Sequence, residues 1–500
     1  MKNWQAAGCV ALGLLVAAGG CDRLEDILRD VGEGDCDRPP AKSPRLILPL
    51  SASISVSQRP LLEWAGDTGS VSVDVCHDRA CQQPIVTFAA TGSSVRPADA
   101  LPAGVVFWRV TGSGGASATW ELKIPAHDSG RTGAWGAIPD FNGDGLGDLA
   151  VGMKGPNQVQ FFPGAEGGPP AQPTVTLSGP AGFGDEAGPA GDLNGDGFCD
   201  LAVWISGPPQ QVMVFPGGPD GPTSPGVTLT APVADQFSQM RVVSAGDVNG
   251  DGYADLLVGG GAMAQLFLGG PNGVSTTPAA DMLTAGTPPD ARWPVGGADF
   301  TGDGAADAII NGLNGAAFYQ DNGTDLVAAP TVTIAPGFGA LAGDFNGDGI
   351  ADYASYAIWT GGPGGPTTSF QSFAGESFYQ GVGDVNGDGY SDDLAQVSSV
   401  VGSLDAERVY FGSPVSCSTQ DCLPHAPLLV PGHVNDGNGY AAILGGGTGD
   451  LNGDGYDDIV YGEPGAGSVY VFYGSASGPP STPSLTLTFA QGFGFSFARL

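Results

Sequence analysis

The sequence predicts an all-β protein: a small β-sandwich followed by a β-propeller of seven blades, with eight blades as the alternative. Three observations predict it. An acidic nine-residue loop recurs seven times, at gaps of 52, 55, 52, 45, 40 and 66 residues, and each gap holds about four short strands, the size of a propeller blade. Short alternating strands separated by turn residues run from 45 to 125. The chain carries 85 glycines and 41 prolines yet is 41% hydrophobic, which suits a β-rich protein with many tight turns better than a disordered one.

Residues 1–20 read as a signal peptide, with Lys2 ahead of the apolar run Val10–Ala18 and then Gly19-Gly20-Cys21. The apolar run is too short to span a bilayer comfortably. A cysteine directly after small residues resembles the bacterial lipobox, which implies a lipid on Cys21 and attachment to the cell envelope, at the outer membrane or cell surface. Residues 21–44 form a charged tether ending in Pro39-Pro40; Leu24, Ile27, Leu28 and Val31 fall at helical spacing, so a short amphipathic helix competes there with a plain tether.

Over 45–125 the expected strands are Leu61–Trp64, Val71–Val75, Ile85–Phe88, Val105–Val110 and Ala118–Ile124, with Trp64 and Trp108 as core candidates. The pattern resembles a fibronectin type III or immunoglobulin-like module. Residues 126–134 read as a hinge. Cys76/Cys81 and Cys417/Cys422 share a four-residue gap that suits small disulfide loops in an oxidising compartment, a better fit than zinc. Cys36 and Cys199 are left over.

The array occupies 135–500. Its loops place Asp, Asn, Asp and Asp at positions 1, 3, 5 and 9, with glycine at 4 and 6. The first comprises Asp140, Asn142, Asp144, Leu146 and Asp148 at positions 1, 3, 5, 7 and 9; the second, Asp192, Asn194, Asp196, Phe198 and Asp200. The third has Asp247, Asn249, Asp251, Tyr253 and Asp255; the fourth has Asp299, Thr301, Asp303, Ala305 and Asp307, with threonine in place of asparagine. The fifth, sixth and seventh have Asp344, Asn346, Asp348, Ile350 and Asp352; Asp384, Asn386, Asp388, Tyr390 and Asp392; and Asp450, Asn452, Asp454, Tyr456 and Asp458. A hard cation such as Ca²⁺ takes six to eight oxygens, which these side chains and the position 7 carbonyl would supply. About seven Ca²⁺ sites are therefore expected. An EF-hand is excluded, because position 12 is Val151, Val203, Val258, Ile310, Ser355, Ala395 or Tyr461, never acidic.

Each loop leads into an apolar strand, then an aromatic strand with a glycine turn (Val159–Gly164, Val212–Gly217, Val469–Gly474), then a threonine- or valine-rich strand (Thr174–Leu177, Val227–Thr230, Leu485–Thr488). Phe183-Gly184, Phe338-Gly339 and Phe493-Gly494 recur as well. These units resemble FG-GAP repeats, the blades of the integrin α-subunit propeller, also found in bacterial surface proteins. The resemblance implies Ca²⁺ at positions 1, 3, 5, 7 and 9 of each loop, and a role in binding or adhesion towards a protein or glycan. Extra length at 413–447 reads as an insertion on one blade, and Gln491–Leu500 as a closing strand for the first blade near 134–139.

The formal charge is 17 − 52 = −35, and 21 of the acids are the position 1, 5 and 9 aspartates. Only four lysines occur, and no basic patch is visible, so nucleic acid is not expected as a partner. His77, His127, His425 and His433 are scattered and no catalytic motif stands out, so an enzyme is not expected. The competing expectations are a hydrolase acting on polysaccharide or lipid and a purely structural envelope protein.

Overall fold

The computed structural model describes residues 43–497 except for short stretches, chiefly 125–133, 231–240, 283–292, 398–405, 416–422, 430–443 and 490–494. The signal peptide, Cys21, Cys36, the tether to 42, Cys417, Cys422 and His433 lie outside the described residues. Among the described residues all regular secondary structure is β.

The N-terminal module contains two sheets. One joins Arg45–Leu48, Leu62–Ala65 and Ser94–Val95. The other runs, in spatial order, Ala134–Trp135, Ser53–Ser55, Trp120–Ile124, Gly104–Gly112, Ser70–Cys76 and Pro84–Thr91, with Gly115–Ala116 on the Gly104–Gly112 strand. Strand Ser70–Cys76 buries Val71, Val73 and Val75 while the residues between them stay partly exposed, the period of a strand with one face on a core. Trp64 and Trp108 are both 1% exposed, as their sequence positions predict. Trp108 pairs across strands with Trp120, the rings meeting edge to face at 6.3 Å. Cys76 and Cys81 form the expected disulfide, which is packed against Phe107.

Among the described residues, seven four-stranded antiparallel sheets follow. The second shows the plan: Phe183–Gly191 on the inside, then Asp200–Ile205, Gln211–Phe215 and Thr228–Thr230. The strand after each acidic loop is buried on both faces, as in Asp200–Ile205. It is therefore apolar throughout rather than alternating. Adjacent sheets share their own apolar clusters. Phe141, Phe161 and Leu177 of the first meet Phe183, Leu201 and Phe215 of the second. The Phe-Gly element sits in that joint: Phe183 lies against Phe215 at 5.8 Å, and a Cβ on Gly184 would strike the Gln158 carbonyl at 2.3 Å.

The inner strands lie side by side around a closed ring: Phe183–Gly191, Arg241–Gly246, Trp293–Ala298, Ala340–Gly343, Glu376–Gly383, Leu444–Gly447 and Phe495–Phe497. This is a β-propeller. The C-terminal strand does close the first sheet, but its partner is Leu149–Met153, with Val151 opposite Phe497 and Met153 opposite Phe495. Residues 134–135, expected as that partner, pair instead with Ser53–Ser55 of the N-terminal module. The reason is positional: Leu149–Met153 follows the first loop, so the inner place beside it is empty until the C-terminus fills it.

A second expectation is also revised. The stretch 413–447, expected as an insertion, contains His425–Leu429, the outer strand of the sixth sheet, and Leu444–Gly447, the inner strand of the seventh. The sixth sheet needs His425–Leu429 to cover the edge of Ala406–Tyr410, so only part of the extra length is additional.

Candidate metal centre

Six loops connect the inner strand of their sheet to its second strand, while the first follows Ala134–Trp135 of the N-terminal module and leads into Leu149–Met153. The turn is built by the first aspartate. In the second loop, Gly195 and Asp196 donate backbone N–H groups to Asp192 Oδ1 (2.6 and 3.1 Å), and Gly197 donates to Asp192 Oδ2 (2.8 Å). The fifth and seventh loops repeat this at Asp344 and Asp450. Position 4 has a positive φ in all seven loops, between 71° and 77°, a region that disfavours any side chain. The glycine there is thus required by the geometry, as is the position 6 glycine of the second, fifth, sixth and seventh loops, whose φ lies between 87° and 91°.

Position 3 asparagine locks onto position 5. Asn194 donates to Asp196 Oδ2 at 2.9 Å and accepts the Asp196 N–H at 2.8 Å. Thr301 in the fourth loop does otherwise: it is buried, and its hydroxyl donates to Asp299 at 3.2 Å. The substitution thus redirects the position 3 oxygen away from position 5.

Position 9 has a role that its spacing does not announce. All seven of these aspartates are buried. In every loop one carboxylate oxygen accepts the N–H of position 2, from Phe141, Leu193, Val248, Phe300, Phe345, Val385 or Leu451 (2.8–3.1 Å). The other accepts an N–H from the turn after the third strand, from Gly164, Gly217, Gly269, Asp321, Gly361, Gly412 or Gly474 (2.8–3.0 Å). Position 9 therefore staples its loop to the turn that ends the neighbouring third strand of its own sheet.

The loops are also bonded to each other. The N–H of position 8 donates to the position 1 carbonyl of the preceding loop: Cys199 to Asp140, Ala254 to Asp192, Ala351 to Asp299, Ser391 to Asp344, Asp457 to Asp384 and Gly147 to Asp450 (2.8–3.2 Å). The last of these joins loop one to loop seven. Cys199, left over in the sequence pattern, is buried in this chain of contacts.

Carboxylates at positions 1, 5 and 9 repel one another. Burial, then repulsion from Asp140, hold Asp148 well above the usual carboxylate range against the opposing pull of the Gly164 N–H; Asp144 adds to the repulsion. Burial pushes Asp200 up to about 8, with Asp192 and Asp196 adding to it. Asp344 and Asp384 are pushed up to about 6, again chiefly by burial. Among the described residues no three His, Cys, Asp or Glu side chains are gathered at metal-ligand spacing. The donor set nevertheless fits a hard cation. An ionised carboxylate has about four lone-pair sites, so an oxygen that holds one N–H can still coordinate. The mutual repulsion of the three carboxylates of one loop is what a divalent charge would relieve. Positions 1, 3, 5 and 9 and the position 7 carbonyl would hold such an ion, which would supply charge neutralisation and a rigid turn.

Comparison with known proteins agrees with this geometry. The FG-GAP-like repeat matches residues 140–203, 192–258 and 247–310, and the FG-GAP repeat matches 445–472. Integrin alpha-IIb of Mus musculus is 34% identical over 147 residues, 25% of this chain and 14% of that one. Integrin alpha-PS2 of Drosophila melanogaster is 35% identical over 115 residues, 20% of this chain and 8% of that one. The chain thus matches only a small part of these integrins. Among solved structures, an Agrocybe aegerita lectin recognising non-reducing terminal N-acetylglucosamine aligns at a TM-score of 0.42 and 16% identity, covering 68% of this chain and 89% of that one. A rhamnogalacturonan lyase aligns at 0.34 and 11%, covering 91% and 99%. Residues 140–310 and 445–472 thus match FG-GAP-type repeats, and part of the chain is similar to integrin alpha subunits.

Proposed function

We propose that this protein is a seven-bladed, calcium-loaded propeller that binds an extracellular protein or glycan at the cell surface, held there by a lipid on Cys21. The N-terminal module, read as a β-sandwich, acts as the spacer and second surface. One observation carries the reading: the same loop pattern occurs seven times, each loop bonded to at least one neighbouring loop and each carrying three acidic side chains at positions 1, 5 and 9. Seven divalent ions would return +14 to a chain of −35, leaving about −21. Calcium here is structural: it makes the loop face rigid, and rigidity lowers the entropy lost when a partner binds. The FG-GAP repeats and the integrin relatives support binding or adhesion as the use of that face.

The test has two steps. Calcium bound to the purified chain is counted by atomic emission and calorimetry; about seven ions per chain are expected, and none would remove the metal from the reading. The calcium-saturated protein without its lipid is then used to capture proteins and glycans from envelope and medium extracts. Selective enrichment of one species, abolished when the loops of one face are replaced, supports a binding module. Degradation of an extract component without retention would replace it with a hydrolase.

A further inference from the structure

The seventh loop differs from the others at position 8. Where they carry Gly147, Cys199, Ala254, Ala306, Ala351 and Ser391, it carries Asp457. Asp457 Oδ2 accepts the backbone N–H of Asp384 at 2.8 Å, and its carboxylate lies where a Cβ on Gly383 would stand. Loop seven thus sets an additional carboxylate against loop six.

The N-terminal module meets this place with a cation. Lys123, on strand Trp120–Ile124, is only 4% exposed, and its Nζ has no hydrogen-bond partner among the described residues. That Nζ lies 3.7 Å from where a Cβ on Gly449 would stand, and Gly449 immediately precedes Asp450, the first ligand position of loop seven. The same module reaches loop two, where Phe107 lies 3.3 Å from the Cβ position of Gly197. An ammonium buried without a hydrogen bond is costly unless nearby negative charge offsets it. Here that charge belongs to loop seven, whose Asp450 directly follows Gly449 and whose Asp457 carboxylate lies against Gly383.

We propose that Lys123 is an intramolecular counter-ion for loop seven, drawing on the same negative charge as a divalent cation there, so that docking of the N-terminal module and cation binding at this loop oppose each other. The inference rests on the calcium reading of the loops. Asp457 acts in the opposite sense, because its charge offsets that of Lys123. A unit charge about 6 Å from a divalent ion changes affinity roughly tenfold even at the dielectric constant of water. By linkage, cation binding must weaken docking by the factor that docking weakens cation binding.

The probe is Ca²⁺ alone, titrated by calorimetry into the full mature chain, with far-ultraviolet circular dichroism at saturating Ca²⁺ to show that each variant is folded. Lys123→Met is expected to tighten one site about tenfold, Asp457→Asn to weaken one, and the double variant to return close to the wild-type isotherm. A wild type that binds Ca²⁺ while Lys123→Met titrates identically overturns the inference and leaves the calcium reading standing. A wild type that binds no Ca²⁺ overturns both. Should Lys123→Met fail to fold, limited proteolysis of the wild type decides: cleavage within 126–134 is expected to quicken on adding Ca²⁺, and unchanged or slower cleavage overturns the inference.

Discussion

Gly147 donates its backbone N–H to the carbonyl of Asp450 at 2.8 Å, so the first acidic loop is bonded to the last although most of the chain lies between them. The ring is therefore closed twice, once by this loop contact and once by strand Phe495–Phe497 on Leu149–Met153. Ending the chain after residue 494 removes only the second closure. It bares the inner edge of Leu149–Met153, including backbone groups with no other sheet partner on that side. The expected result is a folded protein with a melting temperature lower by several degrees and concentration-dependent association, read by calorimetry and light scattering. An unchanged melt would mean that the loop contact alone closes the ring.

Positions 5 and 9 carry the same side chain and do different things, so substitutions should separate them. Asp196 stands on the exposed side of the second loop, whereas Asp200 is buried and holds the N–H groups of Leu193 and Gly217. Asp196→Ala is expected to lower stability in calcium and hardly at all in chelator. Asp200→Ala is expected to lower it in both, by about 1–3 kcal/mol for each N–H left unpaired. Chemical denaturation with and without EDTA checks this. Equal losses for both variants in chelator would refute the division of labour.

Gly143 illustrates the geometric demand at position 4. Its φ is +73°, and a Cβ there would lie 2.6 Å from Phe198 Cε1 of the next loop. Gly143→Ala should cost about 1–2 kcal/mol from the left-handed backbone alone, plus the displacement of Phe198. Gly362→Ala is the control, since a Cβ there meets nothing within 4 Å; it should stay within about 0.5 kcal/mol of the parent. Thermal melts in saturating calcium compare the two.

The buried aspartates set a pH dependence whose sign depends on metal. Burial raises Asp200 to about 8 and Asp344 and Asp384 to about 6, so without metal the folded chain binds more protons than the unfolded one. Stability then falls as pH rises from near 4, the unfolded value, through about 6 to 8. In EDTA the melting temperature is expected to be higher at pH 5.5 than at pH 8. Saturating calcium, which binds the ionised form, should flatten or reverse that slope. A melt in EDTA that rises with pH would contradict the raised proton affinity of these buried carboxylates.

Much of the array was legible because its signals are local. Ligand spacing, the glycines at 4 and 6 and the strand that follows all lie within about a dozen residues, and turn geometry over that span is dictated by φ and by hydrogen bonds to the nearest carboxylate. The aromatic and threonine-rich strands were placed correctly for the same reason. The extent of the insertion was misjudged because His425–Leu429 has no loop before it to mark it. The closing partner was misplaced because 134–135 and Leu149–Met153 are both near the right place in sequence, and only the vacant inner edge distinguishes them.

The sequence by itself determined the all-β class, the repeat, the loop conformation, the Cys76–Cys81 bridge and the burial of Trp64 and Trp108, all consequences of near-neighbour sterics and hydrophobic pattern. Only the tertiary structure decided that position 9 staples each loop to the turn after the neighbouring strand, that loop seven bonds to loop one, and that Lys123 is buried beside Gly449. Each of these joins residues from different elements. A contact of that kind depends on how whole sheets pack against one another, and the spacing of residues along one strand does not encode it.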